Sequence, residues 1–170
     1  YALRLGRAVR ETLRLPVILG GPHATMVPES LLRDGGTDFV CVGEGETSLP
    51  PFVNGRGFGR PLGDDEFPGI ARLRDGQMVL PPLPPLPDLA TLPPLDYELF
   101  DFQEMIRAKD GWVGLMASRV CPFRCSYCIN HHLVRLYRDT LDVQPYIRYR
   151  PLPQVLGEIR DLLARYRGIT

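Results

Sequence analysis

The stretch that decides the fold is PVILGGPHATMVPESLLRDGGTDFVCVGEGE, at residues 16–46. Two short apolar runs lie in it, PVIL at 16–19 and FVCV at 39–42, and each is followed by glycine. The segment between them, at 28–33, has proline at its start and Gly35 after its end, as a short helix has. Short apolar runs that alternate with helices are typical of buried parallel strands. The sequence therefore predicts an α/β fold whose glycine-rich turns lie at the carboxyl edge of the sheet.

The residues that precede this stretch have the spacing of a helix, with Leu5, Val9 and Leu13 on one side and Pro16 beyond its end. Only two strands are visible in this part of the chain, which is too few for an independent sheet. The chain also begins without methionine and within a helical pattern. We therefore expect an excerpt, with further strands upstream of residue 1, that is inactive on its own.

The composition is that of a soluble globular protein, with 44% hydrophobic and 24% charged residues among 170. Twenty basic and twenty acidic residues cancel, so nothing favours a nucleic acid or an anionic membrane as a partner. No apolar run approaches the roughly 18 residues of a membrane-spanning helix. The cysteines are clustered rather than spread as in a secreted disulfide framework, so we expect a cytoplasmic protein.

Residues 54–110 have a different character and are predicted to be a hairpin and a connector. Asp75 and Gly76 lie between two apolar stretches, which is the signal of a two-residue hairpin turn. PPLPPLPDLATLPP follows at 81–94, and proline at this density excludes a helix or a central strand. An extended inter-domain strap is the favoured interpretation. A polyproline ligand for an aromatic groove of another protein is the alternative.

Residues 111–170 return to an alternating pattern. WVGLMAS, at 112–118, is predicted as a strand that leads directly into a cysteine-rich loop. Apolar residues then recur at helical spacing over 152–166, with Pro153 near the start and Gly168 beyond the end. The last two residues are predicted to begin a further strand.

The loop CPFRCSYC, at 121–128, holds three of the four cysteines in the spacing C-x3-C-x2-C. Structural zinc sites usually combine two cysteine pairs, and no second pair exists in this sequence. Cys41 lies in a predicted buried strand, so we interpret it as a core residue. Three thiolates suit an iron–sulfur cluster with one iron left open to another ligand. A zinc site completed by His131 or His132 is the alternative, although such histidines are more often solvated loop residues.

This motif, with Tyr127 before its last cysteine, resembles the signature of the radical S-adenosylmethionine enzymes, which have it after the first strand of a partial (β/α) barrel. The resemblance implies that Cys121, Cys125 and Cys128 bind three irons of a [4Fe-4S] cluster and that S-adenosylmethionine binds the fourth. It also implies cleavage of S-adenosylmethionine to a 5′-deoxyadenosyl radical, with Tyr127 near the adenine or packed against the barrel. Relatives often have glycine where this chain has Val120, for which we expect an ordinary φ.

Residues 15–53 are similar to the C-terminal half of the cobalamin-binding domain that precedes many radical S-adenosylmethionine enzymes. The resemblance implies that the first glycine turn lines the nucleotide tail of cobalamin and that the second lines the corrin side. The residues of these two turns are Gly20, Gly21, Pro22 and His23, and Gly43, Glu44 and Gly45. The alternative is that the glycines only turn strands into helices. His23 is not assigned to cobalt, because that ligand lies in an earlier loop of the family.

The sequence thus predicts the C-terminal half of a Rossmann-like (flavodoxin-like) cobalamin-binding domain at 1–53, the connector at 54–110 and the start of a radical S-adenosylmethionine barrel at 111–170. The expected enzyme is a methyltransferase, or one of cyclisation or rearrangement, with a small-molecule substrate and an electron donor such as flavodoxin or ferredoxin. No catalytic side chain is assigned. Three alternatives remain open: a vestigial cobalamin domain, a zinc-stabilised binding module whose Pro-rich segment binds a partner, and a methylthio-transferring enzyme, which would need more cysteines than Cys41 in its first domain.

Overall fold

The computed structural model describes most of the chain, at residues 1–56, 67–123, 125–141 and 147–170. The chain divides into two compact units, Tyr1–Pro87 with Tyr127–Val143 and Asp88–Ser126 with Gln144–Thr170. None of the described helices is both long and apolar enough to cross a membrane.

Helices and short strands alternate along both units. The helices are α1 (Ala2–Leu13), α2 (Pro22–Met26), α3 (Pro28–Asp34), α4 (Leu49–Arg56), α5 (Phe102–Ala108), α6 (Asn130–Leu141) and α7 (Leu152–Arg165). The strands are β1 (Ile18–Leu19), β2 (Phe39–Cys41), β3 (Ile70–Arg74), β4 (Gln77–Val79), β5 (Ser118–Arg119) and β6 (Arg148–Tyr149). A 3₁₀ helix lies at Tyr97–Leu99.

A four-stranded sheet in the order β1-β2-β3-β4 forms the centre of the first unit. Strands β1 and β2 are parallel, with Ile18 opposite Phe39, whereas β3 and β4 are antiparallel to their neighbours. This confirms the predicted α/β class. Asp75 and Gly76 both have positive φ, of 50° and 76°, as the predicted hairpin turn requires. The hairpin thus extends the sheet of the first unit, while the domain boundaries predicted at residues 53 and 110 stay a prediction.

The core of the first unit forms where α3, the sheet and the start of the connector meet. Val40 and Ala71, at the centre of the sheet, are completely buried. Leu83 of the connector belongs to the same cluster of buried residues, and Leu86 packs against it. Leucines that alternate with proline therefore pack on the core of the first unit, while the interpretation of the segment as an inter-domain strap stays a prediction.

Helix α1 is confirmed, but its predicted apolar stripe is not its buried face. Leu5 and Leu13 are exposed, whereas Gly6 is buried. A Cβ on Gly6 would lie 2.0 Å from the carbonyl oxygen of Gly36, so only glycine permits this approach. The helix therefore packs at a point of close backbone contact, which an apolar pattern does not signal.

The strand predicted at 112–118 is wrong for most of its length. Only β5 forms there, and it pairs antiparallel with β6. Trp112 is 75% exposed and Met116 is 61% exposed. Among the described residues no strand lies beside 112–117, and strands rarely persist without a partner for their backbone groups. The strand predicted to begin at 169–170 is not formed either.

Helix α6, which follows the cysteine loop, is an element that the sequence analysis does not predict. Its apolar residues recur at helical spacing and pack in or against the core of the first unit; they are Leu133, Leu136, Tyr137 and Leu141. His131 and His132 consequently lie in the first turn of a helix rather than in a solvated loop. The apolar face explains this difference, because burying it draws the segment onto the core.

The second unit contains α7, a helix that the structure confirms, and Glu158 of this helix has two close partners. One carboxylate oxygen of Glu158 accepts a hydrogen bond from the Tyr97 hydroxyl, and the other accepts one from the Arg150 guanidinium. The side chains of Glu158 and Arg150 are only 7% and 19% exposed, so this ion pair is shielded from water. Burial, followed by the bond to Glu158, raises the pKa of Tyr97. The contacts tie the 3₁₀ helix to α7 across a long sequence separation.

Candidate functional site

The two predicted glycine turns meet at one edge of the sheet in the first unit. Because β1 and β2 are parallel, their carboxyl ends lie side by side. A Cβ on Gly20 would be 3.7 Å from the Cβ of Cys41. The backbone N–H of Gly43 donates a hydrogen bond of 3.0 Å to Oγ1 of Thr25 in α2, which joins the helix after the first turn to the second turn. The structure therefore brings the two turns together, as the parallel arrangement predicts.

The first turn is open on its outer side. Gly21 precedes α2 with a φ of 91°, and a Cβ placed on it would meet nothing within 4 Å. Pro22 and His23 form the start of α2 and are exposed. This short helix is not among the elements predicted from the sequence, although Pro22 after two glycines is a signal for a helix start. The contact of these residues with a nucleotide tail stays a prediction.

The second turn is closely covered by other side chains. Gly43 has a φ of 85°, and a Cβ on it would lie 3.0 Å from the hydroxyl oxygen of Tyr137 in α6. A Cβ on Gly45 would lie 3.0 Å from Leu49 of α4. Glu44, between the two glycines, is half-buried. Glycine is thus required at position 43 by its conformation and by the packed tyrosine, and a corrin ring does not fit against Gly43 while Tyr137 is in place.

Cys41 lies beneath the second turn and behaves as the core residue that the sequence predicts. It is 3% exposed, and burial, followed by the charge of Glu46, raises the pKa of its thiol. A raised pKa keeps the thiol protonated and makes it a poor metal ligand. We therefore do not count Cys41 among the candidate metal ligands, which are the cysteines of the 121–128 loop.

The cysteine loop carries three thiols that differ in exposure. Cys121 is exposed, Cys125 and Cys128 are half-buried, and none of them forms a disulfide. The first two belong to the second unit and Cys128 to the first. Over the part of the chain that the structure describes, no three His, Cys, Asp or Glu side chains form a group that could hold a metal ion. Tyr127 is 90% exposed. The assignment of the three cysteines and Tyr127 to a cofactor stays a prediction.

Val120, immediately before the loop, does not have the ordinary φ that the sequence analysis expects. Its φ is 72°, in the left-handed region that glycine adopts easily and a β-branched residue rarely does. The backbone between β5 and Cys121 thus has the conformation that a glycine would permit. A non-glycine residue there costs about 1–3 kcal/mol of strain, of a kind often found at functional sites.

His131 and His132 stack at the start of α6, with ring centroids 4.0 Å apart. Nδ1 of His131 is buried and has no hydrogen-bond partner among the described atoms. A buried ring nitrogen without a partner is uncommon, and it is one that a metal ion could satisfy. The zinc alternative therefore keeps a specific candidate ligand.

The chain was also compared with known proteins. No protein-family model matches it. It is 34% identical over 112 residues to an uncharacterized methyltransferase from Synechocystis sp., which covers 66% of this chain and 17% of that protein. It is 31% identical over 114 residues to an uncharacterized methyltransferase from Pyrococcus horikoshii, covering 66% of this chain and 24% of that protein. The chain thus spans about a quarter or less of the curated relatives it matches.

Among solved structures, the chain resembles the radical S-adenosylmethionine methyltransferase TsrM from Kitasatospora setae, whose structure contains tryptophan substrate and an S-adenosylmethionine analogue. The TM-score is 0.62 at 22% sequence identity, over 96% of this chain and 30% of that one. At this identity the likeness shows a shared fold. It supports the α/β architecture, with a sheet that contains parallel strands.

Proposed function

We propose that this chain is part of a radical S-adenosylmethionine enzyme that transfers a methyl group to a small-molecule substrate. The observation that carries the proposal is the C-x3-C-x2-C loop at 121–128, whose three cysteines are free thiols and not disulfides. The two related proteins named methyltransferases support methyl transfer. The fold shared with a radical S-adenosylmethionine methyltransferase agrees with it.

The donor set of the loop fits a [4Fe-4S] cluster, because soft thiolates in an accessible loop are the usual ligands of iron in such clusters. Cys121, Cys125 and Cys128 would each bind one iron, which leaves one iron for S-adenosylmethionine. A bound and reduced cluster supplies the electron for cleavage of S-adenosylmethionine. The ring of Tyr127 is exposed, and in this proposal it would lie near the adenine. A donor such as flavodoxin or ferredoxin would provide the electron to this loop.

Cobalamin is the methyl carrier that the sequence resemblance suggests. Of the two turns predicted to bind it, only one is open in the structure. The Gly20–Gly21 turn is open, whereas Gly43 is covered by Tyr137. We therefore assign no step of the reaction to cobalamin. The open first turn and the covered Gly43 are equally consistent with a domain that has kept the fold but does not bind a corrinoid.

The proposal is tested by anaerobic reconstitution of the full chain with iron and sulfide. We expect a brown protein whose reduced EPR spectrum changes when S-adenosylmethionine is added. Cys125→Ala should lose the cluster, since two thiolates cannot hold three irons. Cys41→Ala is the matched control, because it removes a cysteine outside the loop and should leave the iron content unchanged. Normal iron content in Cys125→Ala would contradict the ligand assignment.

A structural zinc site is the second candidate, and the partnerless Nδ1 of His131 favours it. Four ligands would then come from the three loop cysteines and this histidine. In that case the purified protein is colourless and contains one zinc, and His131→Ala lowers its zinc content. The radical enzyme predicts instead that His131→Ala retains its iron, so a single variant separates the two candidates.

A further inference from the structure

The corrin-side turn is covered by a side chain from outside the predicted site. The hydroxyl oxygen, Cε1 and Cζ of Tyr137 lie 3.0, 3.4 and 3.6 Å from the position that a Cβ would take on Gly43. Tyr137 is 6% exposed and belongs to the same buried cluster as Val42, the residue before Gly43. The tyrosine ring therefore fills the space in front of the Gly43 backbone.

A corrin ring that approached this turn would need the same space. Non-bonded heavy atoms approach each other to about 3.5–4.0 Å, so two groups cannot occupy one face of a glycine together. The Gly20–Gly21 turn differs, because a Cβ on Gly21 would meet nothing within 4 Å. The two halves of the predicted cobalamin site are thus unequal, and at Gly43 the difference is made by one tyrosine.

We propose that Tyr137 determines access to the backbone at Gly43, so that a corrinoid binds against Gly43 only when the tyrosine ring is withdrawn. This inference rests on the cobalamin-domain resemblance within the proposed function. Helix α6, which carries Tyr137, begins two residues after Cys128. A corrinoid that displaces Tyr137 therefore moves a residue of the helix that follows the cysteine loop.

The test uses the full chain, hydroxocobalamin as the probe, and two variants of Tyr137. Tyr137→Leu keeps an apolar contact with the core but lacks the ring that reaches Gly43. Tyr137→Phe keeps the ring and is the matched control. We expect Tyr137→Leu to bind hydroxocobalamin about tenfold or more tightly than the wild-type chain. In the wild type only the molecules whose tyrosine ring is withdrawn can bind, whereas in Tyr137→Leu all of them can. Tyr137→Phe should resemble the wild type. Equal affinity of the wild type and Tyr137→Leu, or no binding by either, overturns the proposal.

A second measurement does not depend on how the variants fold. Hydrogen exchange of α6 in the wild-type chain should speed up at saturating hydroxocobalamin, since the proposal requires Tyr137 to leave the core. Binding with unchanged protection of α6 overturns it. Iron and sulfide content, measured on the same samples, reports separately on the cysteine loop. A normal cluster alongside a failed hydroxocobalamin test rejects only the role of Tyr137, whereas a missing cluster rejects the proposed function.

Discussion

The two units of the chain are stabilised in different ways. In the first unit an apolar core surrounds Val40 and Ala71, both completely buried, and the sheet, α3 and the connector contribute to it. In the second unit a carboxylate that is shielded from water, that of Glu158, binds Tyr97 and Arg150. Apolar burial tolerates many exchanges of similar volume, whereas a shielded charge depends on each of its partners. Single substitutions should therefore affect the units unequally.

The largest effect is expected from Glu158→Ala. The change leaves the shielded guanidinium of Arg150 without its carboxylate, and we expect it to lower the stability of the second unit by about 3 kcal/mol. Hydrogen exchange of the α7 amides measures this loss directly, while exchange of the α3 amides in the first unit should stay unchanged.

The control for this prediction is Glu98→Ala. Glu98 pairs with Arg165 in the same unit, but the two side chains are 73% and 59% exposed. Exposed pairs contribute little, so we expect a change of less than about 1 kcal/mol. If the two variants destabilise α7 equally, shielding of Glu158 is not what holds the second unit together.

The turns that follow β2 and β5, which belong to the candidate sites, also differ between the two units. Gly43 and Val120 both have positive φ, of 85° and 72°. The first position has glycine, and a neighbouring tyrosine packs against it. The second position has a β-branched residue in a conformation that glycine would adopt without strain. The turn at Gly43 therefore does not tolerate a side chain, whereas removing the side chain of Val120 would lower the strain of the turn after β5.

Gly43→Ala is expected to have the second largest effect. The new Cβ would be in a strained conformation and 3.0 Å from the hydroxyl oxygen of Tyr137. We expect a loss of about 2 kcal/mol, from strain and overpacking together, measured by urea unfolding.

Gly35→Ala is the matched control, because Gly35 also has positive φ, of 81°, while a Cβ on it would meet nothing within 4 Å. It should lose only about 1 kcal/mol, which is the strain alone. The double variant Gly43→Ala, Tyr137→Leu should be less destabilised than the sum of its single changes. Strict additivity would mean that Tyr137 does not crowd Gly43.

The sequence predicts the elements whose signals are local. Helix α3 has proline and glycine at its ends, the β3–β4 hairpin has an Asp-Gly turn, and α7 has a regular apolar spacing. Parallel pairing of β1 and β2 also follows from local patterns, because buried apolar runs separated by a helix have few other arrangements. The spacing of the cysteine loop indicates candidate ligands, but their assignment to a cluster stays a prediction.

The remaining features depend on contacts that no local pattern contains. The strand predicted at 112–118 fails because a strand needs a neighbour, and its apolar residues do not specify one. The packing of Tyr137 against Gly43 joins residues that are far apart in the sequence, and it depends on the position of α6 on the core. Glycine turns of one composition can therefore be open, as at Gly21, or closed, as at Gly43.

The smallest expected effect, and the only gain, is that of Val120→Gly. Removing the branched side chain relieves strain at a φ of 72°. The gain is partly offset because glycine makes the unfolded chain more flexible. We expect the second unit to become about 1 kcal/mol more stable, measured by hydrogen exchange of β5 and by thermal unfolding.

Val113→Gly tests the direction of this effect in the same unit. Val113 is not among the residues with positive φ, so glycine there should only add flexibility and lower stability by about 0.5–1 kcal/mol. Opposite signs for the two substitutions would tie the gain to the left-handed turn before Cys121. A loss in Val120→Gly as large as that in Val113→Gly would mean that the side chain of Val120 contributes more by packing than it costs by strain. The turn before the cysteine loop would then be stabilised by apolar contacts, as the core of the first unit is.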